Sequence, residues 1–168
     1  MSLYIEWMNL IKSKANVSWL LKSQVPVYNA LQTQWLRQRF VNLYGPPGSG
    51  KSFLGRLLAS QNKYLFTTDL NEVPEGSKNI VLDDASYVRS LRILASERNL
   101  SHIILITQTQ VNEAMPAVEL RLNDTDVGQF QGVLAKYCQI YFTDSVPEGY
   151  DLHEIIIHEL QNRGEAKK

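Results

Sequence analysis

From Phe40 onward, short apolar runs alternate with stretches whose apolar positions recur at helical spacing. Residues 41–44, 64–66, 80–83 and 103–106 read as strands: each is short, rich in β-branched or aromatic side chains, and apolar on both faces. Between them, residues 51–60 place Leu54, Leu57 and Leu58 on one helical face, and residues 86–99 do the same with Val88, Leu91, Leu94 and Ala95. Residues 69–78, with Pro74 and Gly76, read as a loop. Strands that alternate with helices and are apolar on both sides belong to a mostly parallel sheet covered by helices on both faces, an α/β fold of three layers, α/β/α.

The flanks differ. In the first forty residues Trp7, Leu10 and Ile11 fall at i, i+3 and i+4, and Leu31 and Trp35 at i, i+4, which predicts two helices broken near residues 23–26. Beyond Thr109 the pattern predicts a helix over 127–137, a fifth strand over 139–142 and a sixth over 153–158, the last because three isoleucines stand in a row. The chain is thus expected to divide into a helical N-terminal extension, 1–39, a core, 40–162, and a flexible tail, 163–168.

Composition narrows the function classes. The 168 residues are 44% hydrophobic and 20% charged, an ordinary globular balance. Lys and Arg together number 17, as do Asp and Glu, so net charge gives no argument for a nucleic-acid partner. Nor is there a run near the roughly 18 consecutive apolar residues a membrane span needs, or a charged leader followed by an apolar stretch. Cys138 is the single cysteine, which suits a reducing cytoplasm, and no membrane partner is expected.

The chemistry concentrates in Gly45-Pro46-Pro47-Gly48-Ser49-Gly50-Lys51-Ser52, which lies between a predicted strand and a predicted helix. In that context glycines let the backbone turn its amides toward phosphate oxygens, and the following helix adds its positive N-terminal end. Lys51 offers a point charge to the β and γ phosphates of a nucleotide, and Ser52 a hydroxyl to Mg²⁺. The third predicted strand ends in Asp83 and Asp84. Asp83 is placed to hold Mg²⁺ through water, and Asp84 to orient or deprotonate an attacking water; without the loop upstream, the same pair would read as a helix cap.

At the end of the fourth strand, Thr107 and Gln108 are candidates for contacting a γ-phosphate or the lytic water. Arg98 and Arg121 are candidates for neutralising charge on a transferring phosphate, a role often filled from a neighbouring subunit, whereas Arg56, Arg89 and Arg92 read as solvated helix positions. His102, His153 and His158 show no metal-ligand spacing.

The stretch from Val41 to about Leu122 resembles the core of the AAA+ ATPases, and within them the DnaA/Hda-type replication-initiator branch. The pieces that carry the resemblance are LYGPPGSGKSFLGRLLA, IVLDDAS and IILITQT, followed by Met115-Pro116 and Leu120-Arg121-Leu122. It implies a P-loop NTPase fold and ATP with Mg²⁺ as ligands. Gly45 to Ser52 and the adjoining Phe53 would form the nucleotide site, with Lys51 and Ser52 as Walker A residues and Asp83 and Asp84 as Walker B residues. The same resemblance implies assembly on DNA, touched directly or through a partner, by self-association or with a protein that supplies an arginine. Two departures stand out: many AAA+ proteins have Glu where this chain has Asp84, and the residues after Phe142 leave no room for a complete helical lid.

The segment from Ser96 to Thr109 is also similar to FtsK/HerA and viral packaging ATPases, where Gln108 would be the sensor and DNA the pumped substrate. Two further alternatives are a small-molecule kinase, with Asp69 as acceptor base, and a non-catalytic module that recruits partners through Trp7, Trp19 and Trp35.

Overall fold

A computed structural model describes residues 2–33, 37–61, 64–83, 89–111, 114–143 and 148–164. It resolves into two compact units, one of residues 24–121 and one of residues 1–23 with 122–168.

The first unit holds a five-stranded, all-parallel sheet built from β1 (Phe40–Tyr44), β2 (Leu65–Thr67), β3 (Asn79–Leu82), β4 (His102–Thr107) and β5 (Ala117–Glu119), in the order β2-β3-β4-β1-β5. Its helices are α2 (Gln24–Gln32), α3 (Lys51–Ser60) and α4 (Arg89–Glu97). This is the α/β architecture that the alternation predicts, and it is consistent with a P-loop NTPase fold.

Period-two alternation divides the sheet's side chains between two faces. Phe40, Ile80, Leu82, Ile103 and Leu105 join Leu91 and Ala95 of α4 in one core cluster. On the other face α3 packs against β2, β3 and β4. Gly55 makes that approach close: a Cβ there would stand 2.8 Å from Val81 and 3.2 Å from Ile106. Strands buried on both faces explain why they read as unbroken apolar runs.

The order of the sheet positions a site. The chain leaves β1 for the far edge, at β2, and leaves β4 for the opposite edge, at β5. Connections that diverge from two adjacent strands open a crevice at the strands' carboxyl ends, where ligands bind in open α/β sheets.

The second unit is helical: α1 (Leu3–Lys14), α5 (Asp124–Cys138) and α6 (Leu152–Asn162), with α1 packed on both of the others. Here two expectations are corrected. Residues 153–158 are helical, because Asp151 and Glu154 form a capping box, with Asp151 accepting from the Glu154 amide at 2.7 Å and Glu154 from the Asp151 amide at 2.9 Å. Ile155, Ile156, Glu159 and Leu160 then lie on one buried stripe. Residues 139–142 are not a strand. Gln139 sits at φ 54° and ends α5, and the Ile140 amide turns back to the Leu134 carbonyl at 3.1 Å, the bond that closes a helix C-terminus.

Trp7 and Trp19 are buried, at 7% and 3% exposure, so neither forms part of an exposed recruiting face; Trp35 lies outside the described residues. Cys138 is buried, as a small core side chain would be. No described helix is long and apolar enough to cross a membrane.

An ion pair between a buried carboxylate, Glu159, and an exposed guanidinium, Arg163, is expected to make this unit acid-sensitive. Glu159 is 1% exposed; it takes hydrogen bonds from Arg163 at 2.8 Å and from the amide and hydroxyl of Thr143 at 3.0 and 3.2 Å. Burial pushes its carboxyl up, but together the bonds from Arg163 and Thr143 outweigh burial and hold it below the ordinary value. A depressed carboxyl contributes stability that is present above the unfolded value, about 4.3, and is lost as pH falls through the folded one. Glu159→Gln is expected to lower the thermal midpoint at pH 7, and the gap to the unaltered protein to close below about pH 4. A gap that persists at low pH would mean that lost packing, not charge, sets the difference.

Candidate functional site

The residues from Gly45 to Ser52 leave β1 and enter α3, and the backbone of that turn is unusual from its first residue. Gly45 has φ 156°, and a Cβ built on it would lie 2.1 Å from the Leu120 carbonyl oxygen. That contact is with backbone, which cannot rotate away, so no other residue fits. Gly50, which caps α3, has φ 88° in the left-handed region. These two constraints turn the chain tightly around the amides that open α3, and the first amides of a helix have no partner within it.

Lys51 is the first residue of α3 and is 7% exposed. Its ammonium donates to the carbonyls of Gly45 at 2.7 Å and Pro46 at 2.8 Å, so the loop folds around its own lysine. Burial holds the lysine below its ordinary pKa, and the carboxylate of Asp83 opposes that shift. A cation held by neutral carbonyls exchanges them readily for phosphate oxygens, whose hydrogen bonds are charge-assisted.

The second half of the site comes from β3. Asp83 follows the strand's last residue, its amide bonded to the Thr67 carbonyl at 2.9 Å, and its carboxylate accepts a hydrogen bond from the Ser52 hydroxyl at 2.6 Å. Two residues 31 positions apart thus bring a hydroxyl and a carboxylate together beside the loop. Both are hard oxygen donors, the chemistry Mg²⁺ takes, and a pair of protein ligands with the rest supplied by phosphate and water is how that ion is usually held. Among the described residues no group of three or more His, Cys, Asp or Glu is placed to hold a metal on its own. Asp84 lies outside the described residues.

Of the remaining loop residues, Pro46 and Pro47 are exposed, Gly48 is half-buried, and Ser49 is buried, its hydroxyl without a partner among the described residues. Phe53 is half-buried in the first turn of α3.

At the end of β4 the structure separates the two candidates. The Thr107 hydroxyl donates to the Thr109 carbonyl at 2.7 Å and accepts from Asn42 at 2.9 Å, so it shapes the turn; Gln108 is exposed at the bend that follows. Arg121 is also exposed and pairs with Glu119 at 3.0 Å rather than with a residue of the loop. Arg98 donates to the Val73 carbonyl at 2.5 Å and precedes β4, which puts it at the amino ends of the strands, away from the loop. Arg56 and Arg92 are exposed and stack over Phe66 and Phe40, at 4.4 and 5.1 Å from the ring centres. The side chain of Arg89 lies outside the described residues. His102 is buried against the Gln38 carbonyl, and burial lowers its pKa; His153 meets the Tyr4 hydroxyl at 2.9 Å.

Sequence reasoning missed Asn42 and Gln24. Asn42 is fully buried in β1, where it donates to the Leu105 carbonyl at 3.0 Å and to Thr107, and accepts from the Val111 amide at 2.9 Å. It ties the strand that delivers the loop to the turn that carries Gln108. Asn42→Leu leaves those groups without their partner in a closed space and is expected to cost roughly 3 kcal/mol of stability, read as a lower denaturation midpoint. Gln24, 1% exposed at the start of α2, donates its side-chain amide to the Ser49 carbonyl at 3.1 Å.

No curated protein matches the chain. Residues 41–113, which include the loop, Asp83, Thr107 and Gln108 but not Arg121, match the family model for the ATPase family associated with various cellular activities (AAA), and this match supports an AAA+ ATPase.

Proposed function

We propose that this chain binds Mg·ATP at residues 45–52 and hydrolyses it, as an AAA+ ATPase closest in character to the DnaA/Hda-type initiator branch. The observation that carries this reading is the meeting of Ser52 with Asp83 at 2.6 Å, next to a glycine-built turn that closes on Lys51. A surface turn has no need to bury a lysine or to draw a strand-end carboxylate to its serine.

In this reading Lys51 and the amides opening α3 bind the phosphates, while Ser52 and Asp83 hold Mg²⁺. When bound, that ion neutralises charge developing on the phosphate oxygens. Asp84 takes the proton of the attacking water, and Gln108, exposed at the strand end, orients that water or the γ-phosphate. Arg121, exposed and weakly held by a surface pair, is free to serve a neighbouring subunit's nucleotide, an action that requires self-association or a partner. The chain then works in the cytoplasm as a nucleotide-dependent switch or motor in an assembly on DNA, such as one for replication initiation, loading or transposition.

The test measures phosphate release from Mg·ATP with and without duplex DNA, together with mass in solution with and without nucleotide. Hydrolysis that DNA accelerates, with a nucleotide-dependent gain in mass, supports the whole reading. Hydrolysis indifferent to DNA and to assembly removes the DNA-associated role and leaves the ATPase. No phosphate release under any of these conditions removes the ATPase as well.

A further inference from the structure

The phosphate loop contains, between Ser49 and Gly50, a peptide whose orientation its own glycine leaves open. Gly50 is in the left-handed region at φ 88°, a conformation that glycine alone enters without strain, and glycine crosses easily to the opposite sign. The plane between Ser49 and Gly50 is therefore able to rotate as a unit, exchanging the positions of the Ser49 carbonyl and the Gly50 amide. Something outside the loop has to select one of the two orientations.

Gln24 is placed to select it. Its side chain is buried at 1% exposure, Ser49 is buried at 2%, and the Gln24 amide nitrogen lies 3.1 Å from the Ser49 carbonyl oxygen. In a trans peptide the carbonyl and the following N–H point in opposite directions. A donor that holds the Ser49 carbonyl toward α2 therefore holds the Gly50 amide away from α2. The bond is shielded from water, so losing it would leave a buried carbonyl unpaired, at a cost that favours rotation of the plane.

We propose that Gln24 is a positioning residue for the phosphate loop: by holding the Ser49 carbonyl, it turns the Gly50 amide toward the bound phosphates. The proposal rests on ATP binding at this loop. With the bond lost, the plane turns and offers phosphate a carbonyl oxygen instead of an N–H, which is repulsive where attraction is needed. Side-chain length matters as well as chemistry: glutamate has the same reach but no proton to donate, and asparagine donates but is one methylene short.

The experiment compares the unaltered protein with Gln24→Met, which keeps the side chain's length and removes the donor. Mg·ATP dissociation constants are measured by calorimetry, KM and kcat by phosphate release, and folding by thermal midpoint. The expected result is at least a tenfold loss of Mg·ATP affinity and a matching rise in KM, with kcat within about threefold, because the amide grips phosphate equally in the ground and transition states. A purely structural role would instead lower the active fraction, reducing apparent kcat and leaving KM in place. If Gln24→Met does not fold, Gln24→Asn is measured in the same way, with a loss of at least fivefold expected. Unaltered affinity in whichever variant folds overturns the proposal. Failure of the unaltered protein itself to bind Mg·ATP is a different outcome, which removes the ATPase reading on which the proposal stands.

Discussion

Replacing Lys51 with alanine is expected to reduce Mg·ATP affinity by about 100-fold or more, which corresponds to roughly 3 kcal/mol. Lys51 is 7% exposed, and low surrounding polarity strengthens its ammonium's attraction to phosphate. Among the described residues the same group bonds the carbonyls of Gly45 and Pro46, and Pro46 is exposed, so water replaces part of what is lost. The fold should therefore lose little, with a thermal midpoint lower by a few degrees, on the order of 1 kcal/mol. Lys51→Arg is expected to fail as well, because a planar guanidinium does not fit a space closed around a single ammonium. Calorimetric titration with Mg·ATP, beside a melting curve for each variant, separates loss of the ligand from loss of the fold.

The second large effect is expected at Asp84, and it should appear in turnover rather than affinity. Asn keeps the size and hydrogen-bonding reach of Asp but cannot accept a proton from water, and removing a general base typically costs 10²–10⁴-fold in rate, roughly 3–5 kcal/mol. Asp83, the carboxylate that meets Ser52, is left in place, so Mg·ATP should bind within a few-fold of normal and remain unhydrolysed. Single-turnover phosphate release measured beside equilibrium binding distinguishes the two. If Asp84→Asn hydrolyses ATP at the normal rate, Asp84 is not the base and that assignment falls.

The parts of this molecule that were legible in the sequence are those whose cause is local. Lys51–Ser60 forms a helix because the loop sets its start and Leu54, Leu57 and Leu58 give it a buried face. Strands β1, β3 and β4 declare themselves because each is buried on both sides and so has no polar alternation to blur it. The C-terminal third resisted because two rules competed. Ile155, Ile156 and Ile157 favour a strand on propensity, yet the capping box at Asp151 and Glu154 starts a helix, and a one-sided buried stripe sustains it. The edge strand Ala117–Glu119 went unseen for a different reason: it is three residues long and only half-buried, and its identity comes from pairing with Asn42, Leu43 and Tyr44.

The site divides along the same line. Gly45 to Ser52 and Asp83 are visible as a spacing and a strand end, but the residues that hold them are not. Gln24 acts on a carbonyl 25 positions away, and Asn42 on groups 63 to 69 positions away. No local pattern encodes such contacts. The available hint was a polar side chain where an apolar one was due: Asn42 interrupts the run from Phe40 to Leu43 and is nevertheless fully buried.

The central claim is that the turn between β1 and α3 grips a triphosphate together with magnesium. Titrating the purified, unaltered chain with ATP, once with Mg²⁺ and once with EDTA, tests it most directly. Saturable binding at one site per chain, strengthened by Mg²⁺ and abolished by Lys51→Ala, is the predicted result. Absence of binding up to millimolar nucleotide, or binding that survives the loss of Lys51 undiminished, would contradict it.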